Sequence, residues 1–340
     1  THMGEFEMMK KTTSALAIAA LLGTGAASAA TFQVSDDTSV TIGGDFQFAY
    51  TDTETATGSE TSFGDNGSSL VFAGEQTHSN GITTSFYLDF DNFGTVGDAY
   101  NDFNYDGKAK TKSEDPEGLS TDEYHVSFAG DFGEVKIGNE GAVTEDVFDV
   151  ADVDEFAEFG VNPTNGAATD VIQYYSNDFN GVSFAVQTQV QGDAQKAAGE
   201  SSTSFAGAVM ADLGGISAGV AYAEGAENGG EPIYGLMVGT TLGGVDVAVN
   251  YVSEEEANEK DQSFIGIAAD YNYGAGSIYG AVQTRSIDNT AAGVQDDFTE
   301  YTLGVNYNLT SNAYIYGEMG AQDKANDVGD AMGVGLVYGW

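Results

Sequence analysis

The sequence predicts an all-β protein, a 16-stranded antiparallel transmembrane β-barrel. Three observations predict it. Sixteen runs alternate apolar with small or polar residues, the period-2 pattern of strands with two unlike faces. The connections between these runs alternate long and short along the whole chain. The acids are sorted: 53 Asp and Glu stand against 10 Lys and Arg, a formal charge of −43, yet runs such as 245–252, 301–309 and 331–340 carry almost none of them.

The amino-terminal residues are set aside first. Residues 1–8, THMGEFEM, read as a vector-derived scar, and 9–29 as a signal peptide. Met9 is followed by basic Lys10 and Lys11, an apolar stretch from Ala15 to Leu22, and the small-residue site Ala27-Ser28-Ala29. The apolar stretch falls short of the roughly 20 residues a spanning helix needs. Residues 30–340 are then one barrel domain. Removing Glu5, Glu7, Lys10 and Lys11 leaves the charge at −43. Cysteine is absent, which excludes disulfides, thiolate nucleophiles and cysteine metal sites. So acidic a chain repels nucleic acid phosphates, and it suits high ionic strength, where screening relieves self-repulsion.

The strands are expected at 39–50, 67–76, 80–92, 121–130, 133–139, 169–177, 181–190 and 203–212, then at 215–224, 231–242, 244–253, 262–273, 275–286, 298–308, 311–321 and 330–340. Long connections (51–66, 93–120, 140–168) alternate with short turns at His78 to Asn80, Asp131-Phe132 and 178–180, and the alternation continues through Gly214, Gly243, Gly274 and Thr310-Ser311. Outer-membrane barrels have short turns on one side and longer loops on the other, whereas a soluble sandwich has no reason to sort its loops by length. Polarity agrees: Val245, Val247, Val249 and Tyr251 share one face, and Asp246, Ala248 and Asn250 the other. Tyr273, Tyr307 and Tyr338 at strand ends suit an aromatic girdle.

Three segments carry a family resemblance. Leu70-Val71-Phe72-Ala73-Gly74-Glu75 with Asn80-Gly81, the stretch from His125 to Gly138 (HVSFAGDFGEVKIG), and Asp170 to Asn177 (DVIQYYSN) with Phe179 resemble the general diffusion porins of Gram-negative outer membranes, and Trp340 stands where that family ends in an aromatic. The resemblance implies a homotrimer in the outer membrane, in contact with lipid and lipopolysaccharide, that passes small hydrophilic solutes and ions. It implies that the third long loop, 140–168, folds inward and constricts the pore, its tip being 154–160, DEFAEFG. Its acids Asp146, Asp149, Asp152, Asp154, Glu155 and Glu158 are the candidate constriction residues, and its interleaved Val147, Phe148, Val150, Val153, Phe156 and Phe159 suit a loop packed inside a barrel.

The family's opposite wall carries arginines, and here the chain departs: the matching positions hold Ser69, His125 and Gln173. With Lys136 and Arg285, the only cations in the expected strands, these form the candidate pore wall. An acidic ring with so little positive counterpart predicts cation selectivity. A sugar- or nutrient-specific channel is the alternative, for which Tyr222, Tyr234, Tyr314 and Tyr316 are candidate lumen aromatics. An enzyme is not expected, since no Ser has a His-based partner constellation. No cofactor is expected. Acidic loops could hold Ca²⁺ or Mg²⁺ through carboxylate oxygens, although no loop has the D-x-[DN]-x-[DN]-G spacing and the metal site is left open.

Overall fold

The structure, a computed structural model, describes residues 29–55, 58–91, 120–156, 170–190, 203–224, 232–254, 262–287, 297–323 and 329–340. The expected scar, the expected leader up to residue 28, Glu158 and Phe159 lie outside the described residues, as do Lys108, Lys110, Lys112, Lys196, Lys260 and Lys324.

Eighteen strand segments make one sheet. They are β1 (Ala30–Ser35), β2 (Thr38–Thr55), β3 (Gly58–Asp65), β4 (Ser69–Thr77), β5 (Thr83–Asp91), β6 (Ser120–Gly130), β7 (Gly133–Asn139), β8 (Val171–Tyr175) and β9 (Val182–Val190). The second half gives β10 (Thr203–Asp212), β11 (Ile216–Glu224), β12 (Pro232–Leu242), β13 (Val245–Glu254), β14 (Gln262–Asn272), β15 (Ser277–Ile287), β16 (Asp297–Thr310), β17 (Ala313–Gln322) and β18 (Ala331–Gly339). From β4 onward each strand pairs antiparallel with the next, and β18 closes the ring on β2.

The eighteen segments fill sixteen positions because β2 carries two segments on each edge. β1 and β18 share one edge, with Ala30 opposite Ile42 and Gly339 opposite Asp45. Trp340 N donates to Gly44 O at 3.0 Å between them. β3 and β4 share the other edge, interrupted at 66–68. The expected loop 51–66 is thereby corrected: the Thr-rich stretch keeps the strand alternation, with Thr51 and Thr53 buried between exposed Tyr50 and Glu54, and pairs as a hairpin with 58–65. The short turns stand where expected, and Gly243 and Gly244 supply the positive φ (62° and 90°) that a two-residue hairpin turn requires.

The two faces are chemically opposite. The outer face leaves large apolar side chains exposed, among them Leu236 (54%), Val238 (52%), Ile265 (52%) and Leu303 (55%). An apolar surface that continuous marks contact with lipid rather than water. The inner face holds the alternate positions, with Ser183, Gln187, Gln189, Asn250, Thr302 and Gln283 buried.

The connection after β7 packs onto that inner face. Its one helical turn, α1 (Glu145–Phe148), is too short to hold itself, and its support is tertiary. Val147 and Phe148 are fully buried among β11, β12 and β13, each stabilising the docked turn by about 1.5–3 kcal/mol. Glycine makes the room: a Cβ on Gly219 would lie 2.8 Å from Val147 Cγ2, and one on Gly235 would lie 2.5 Å from the Phe148 ring. Asn250 Nδ2 donates to the Val147 carbonyl at 3.3 Å and to the Phe148 carbonyl. Further on, Ala151 sits over Gly266 and Phe156 over Gly333.

Gly235→Val should displace α1 while leaving the barrel closed, because overpacking of this kind destabilises by about 1–3 kcal/mol. The chain has no cysteine, so a single Ala151→Cys reports on docking. Its labelling by a small thiol reagent should be slow alone and roughly five- to hundredfold faster with Gly235→Val. Equal rates would show that α1 does not depend on the glycine at 235.

Candidate functional site

Two polar clusters on the inner face hold the two ends of segment 140–156. The first lies at its root, on β5 to β9. Period-2 alternation turns Tyr87, His125, Lys136, Gln173, Tyr175 and Gln187 to one side, and the pairings Tyr87–His125, Lys136–Gln173 and Gln173–Gln187 put them in register. Lys136 Nζ donates to Glu140 Oε1 at 2.6 Å, and His125 Nδ1 lies against the other carboxylate oxygen. The Lys136 ammonium lies 5.3 Å from the Tyr175 ring centroid, and His125 stacks on Tyr87 at 5.5 Å. Gln173 Nε2 donates to Gly141 O at 2.6 Å and to Gln187 Oε1 at 2.8 Å, and the latter also accepts Val143 N–H at 3.3 Å. Burial pushes the Glu140 pKa up, but His125 and Lys136 outweigh it and hold the carboxyl below its ordinary value.

The second cluster clasps the far end. Glu318 on β17 accepts the backbone N–H groups of Glu155 (2.7 Å) and Phe156 (3.2 Å) and the Tyr279 hydroxyl (2.7 Å). Asn66 donates to Glu155 O at 2.7 Å, and the Tyr314 hydroxyl donates to Glu155 Oε2 at 3.1 Å. Phe156 stacks on Tyr316 at 6.4 Å. Burial raises the Glu155 pKa, and the Tyr314 hydrogen bond opposes this only in part.

Between the two clusters the segment has two sides. Val147, Phe148, Val150, Ala151, Val153 and Phe156 are buried. Asp146 is exposed and Asp149, Asp152 and Asp154 are half-buried, so these acids are less withdrawn than the apolar residues that alternate with them. Five of the six expected acids therefore lie on one segment docked inside the barrel.

Of the five expected wall residues, His125, Lys136 and Gln173 come together. Ser69 belongs elsewhere, its Oγ donating to Asp45 Oδ1 at 2.6 Å. Arg285 stands on β15 between the rings of Phe264 and Phe298, 5.6 Å from each, with Nε donating to Gln262 at 2.8 Å. The expected tyrosine track is corrected. Tyr222 and Tyr234 pair with each other on the outer face, 38% and 49% exposed, because their strand parity is that of Val220 and Leu236. Tyr314 and Tyr316 do face inward, but toward the anchor of the segment.

Sequence reasoning missed Glu140, Glu318, Asn66 and Asn250. A signal existed for Glu318: it is the one acid of 311–321, at an inward parity between glycine-rich neighbours. The partners of Asn66 and Asn250 lie 89 and 103 residues away, beyond any local pattern.

The comparisons agree with this architecture. The family described as Gram-negative porin matches residues 12–327. A monosaccharide porin of Halomonas sp and the major outer membrane protein of Halomonas elongata are each 27% identical, over 97% of this chain and 100% of theirs. Among solved structures, the anion-selective porin from Comamonas acidovorans superposes with a TM-score of 0.64 at 18% identity, over 89% of this chain and 100% of its own. The trimer form of OmpT from Vibrio cholerae gives 0.66 at 14% identity, over 90% and 100%. At such identities the structures show a shared fold, and the family match over most of the chain shows the rest: this chain belongs to the Gram-negative porin family and is an outer-membrane channel protein rather than an enzyme.

Proposed function

We propose that this porin forms a water-filled channel for passive diffusion of small hydrophilic solutes and ions, with cations preferred. One observation carries the reading. Asp146, Asp149, Asp152 and Asp154 are less buried than the apolar side chains of segment 140–156 that alternate with them. Carboxylates held in a narrow aqueous passage between low-dielectric walls concentrate cations and exclude anions. On this reading loop 140–168 sets the size limit and its acids, with Glu158 extending the set, determine the sign. On the same reading His125, Lys136 and Gln173 line the facing wall, Ser69 stands apart on β4, and Arg285 lies on β15, among the strands on which the segment docks.

A homotrimer is proposed with it, supported by family membership and by the trimeric OmpT. Lipid and lipopolysaccharide contact the apolar outer face. A leader at 9–29 delivers the chain to the membrane. The acid excess and the Halomonas relatives support a salt-rich habitat, in which Ca²⁺ or Mg²⁺ gathers as diffuse counterions around the acidic loops. Sugar specificity is the second reading, favoured by the relative whose name is monosaccharide porin. The dispersal of the four tyrosines, two outward and two engaged by the loop, favours diffusion over a specific track.

Reversal potentials in planar bilayers under a KCl gradient test the selectivity. The wild type should favour K⁺, and Asp149→Asn with Asp152→Asn and Asp154→Asn should lower the permeability ratio several-fold. Anion preference in the wild type, or no change in the variant, would sink the reading. Liposome swelling with a series of uncharged sugars should rank them by size alone, whereas saturation by one sugar would favour the specific channel.

The pH dependence has a definite sign. Because the Glu155 pKa is raised, this group takes up its proton on acidification before an ordinary carboxyl does, and Glu140, lowered, keeps its charge longer than an ordinary carboxyl. Selectivity measured from pH 7 downward should begin to fall above the ordinary carboxylate range, and Glu155→Gln should remove that early limb. An unchanged titration in Glu155→Gln would show that Glu155 does not contribute to the field.

A further inference from the structure

We propose that Glu140 is a selectivity-determining residue, whose carboxylate offsets the inward-facing Lys136 ammonium and so makes the β6–β8 wall less positive. This rests on reading the chain as a channel whose ion preference is set by fixed charge.

Among the described residues, Lys136 and Arg285 are the only Lys or Arg. Arg285 is engaged at Gln262, on strands far around the ring from β7. The only Lys or Arg charge of the described β6–β8 wall is therefore that of Lys136, and its effect turns on what Lys136 meets. It meets Glu140: the Nζ to Oε1 distance is 2.6 Å, and the side chains of His125, Lys136 and Glu140 are only 6%, 14% and 9% exposed. A charge so withdrawn from water is screened weakly, so its cancellation by an adjacent carboxylate is felt directly in the lumen.

The cluster sits on β6 to β8, whereas segment 140–156 docks on β11 to β14, β17 and β18. A positive charge on β7 would therefore set a transverse field against the acids of the segment. Glu140 offsets one positive charge, and replacing it by Gln makes the cluster one unit more positive whatever Lys136 then contacts. The next inward carboxylate on β7, Glu134, is present in both proteins and does not alter that difference.

Around the cluster Tyr87, Gln173, Tyr175 and Gln187 are uncharged, while the nearby carboxylates, Asp89 accepting from Tyr87 at 3.3 Å, Glu123 accepting Gly141 N–H at 3.2 Å and Glu145 accepting Ala142 N–H at 2.8 Å, are the same in every variant and do not alter the difference. Glu140 follows directly on β7 and opens the inward segment, so the residue that roots the segment also offsets the Lys136 charge.

The test uses the full chain in planar bilayers under a KCl gradient. Glu140→Gln should lower the cation-to-anion permeability ratio on the order of fivefold, the effect of one unit charge about 5 Å from the permeating ion in about 0.1 M salt. Lys136→Met alone should raise the ratio. The double variant Lys136→Met/Glu140→Gln, with the same net charge as wild type, should return to within about twofold of it, which a merely structural role for Glu140 would not produce. An unchanged ratio in Glu140→Gln, or a double variant as low as the single, would overturn the proposal. Heat-modifiable gel mobility checks that each barrel folds. Should Glu140→Gln fail to fold, the opposite shift in Lys136→Met decides. The absolute preference of the wild type tests the functional reading, and the differences among variants test this one, so the two can fail separately.

Discussion

Lipid offers the backbone no hydrogen bonds, and the rest of the structure follows from that constraint. Each exposed N–H or C=O in hydrocarbon would cost several kcal/mol, so a strand protein can cross only as a closed sheet. Closure is achieved economically at β2, whose two edges each receive two segments end to end, β1 with β18 and β3 with β4. The chain's first and last described strands thereby complete one position of the ring.

Closure forces side-chain alternation, and alternation gives the interior its chemistry. Since one parity must be apolar for lipid, the other is free to be small or polar. The inner wall uses this freedom in two ways. At Gly219, Gly235, Gly266 and Gly333 the missing side chains leave depressions filled by Val147, Phe148, Ala151 and Phe156. At Glu140 a carboxylate accepts from the Lys136 ammonium, and at Glu318 another accepts from backbone amides of the segment. Apolar burial and charge-assisted hydrogen bonds thus hold the same segment at different points, and a segment with only one helical turn of regular structure is kept in place.

The electrostatics follow from the same packing. The apolar side chains of the segment are taken up by the wall, and its aspartates are the less buried residues between them. The fold alone does not set the sign of selectivity: an anion-selective porin has the same architecture. The sign must come from individual side chains, which is why the partners of Lys136 matter more here than the total of 53 acids.

Much was legible in the sequence, and for a physical reason. Lipid on one side and water on the other impose a period of two on every strand, a local signal, and sixteen repetitions of it determined the barrel, the loop asymmetry and the parity of Val245 or Thr302. The apolar residues within 140–156 were also readable as a packed loop. The hairpin at 51–65 was not, because a polar strand standing in water differs little in composition from a loop. Nor were Tyr222 and Tyr234, whose parity depends on register. The partners of the segment remained hidden for a deeper reason. Gln173, Asn250, Glu318 and Gly333 come from strands up to 192 residues away in the chain from Gly141, and only closure of the ring brings them to it. The sequence by itself determined a charged, alternating chain that must become a barrel; the tertiary structure alone decided which charges are cancelled, because cancellation depends on distances that no local pattern contains.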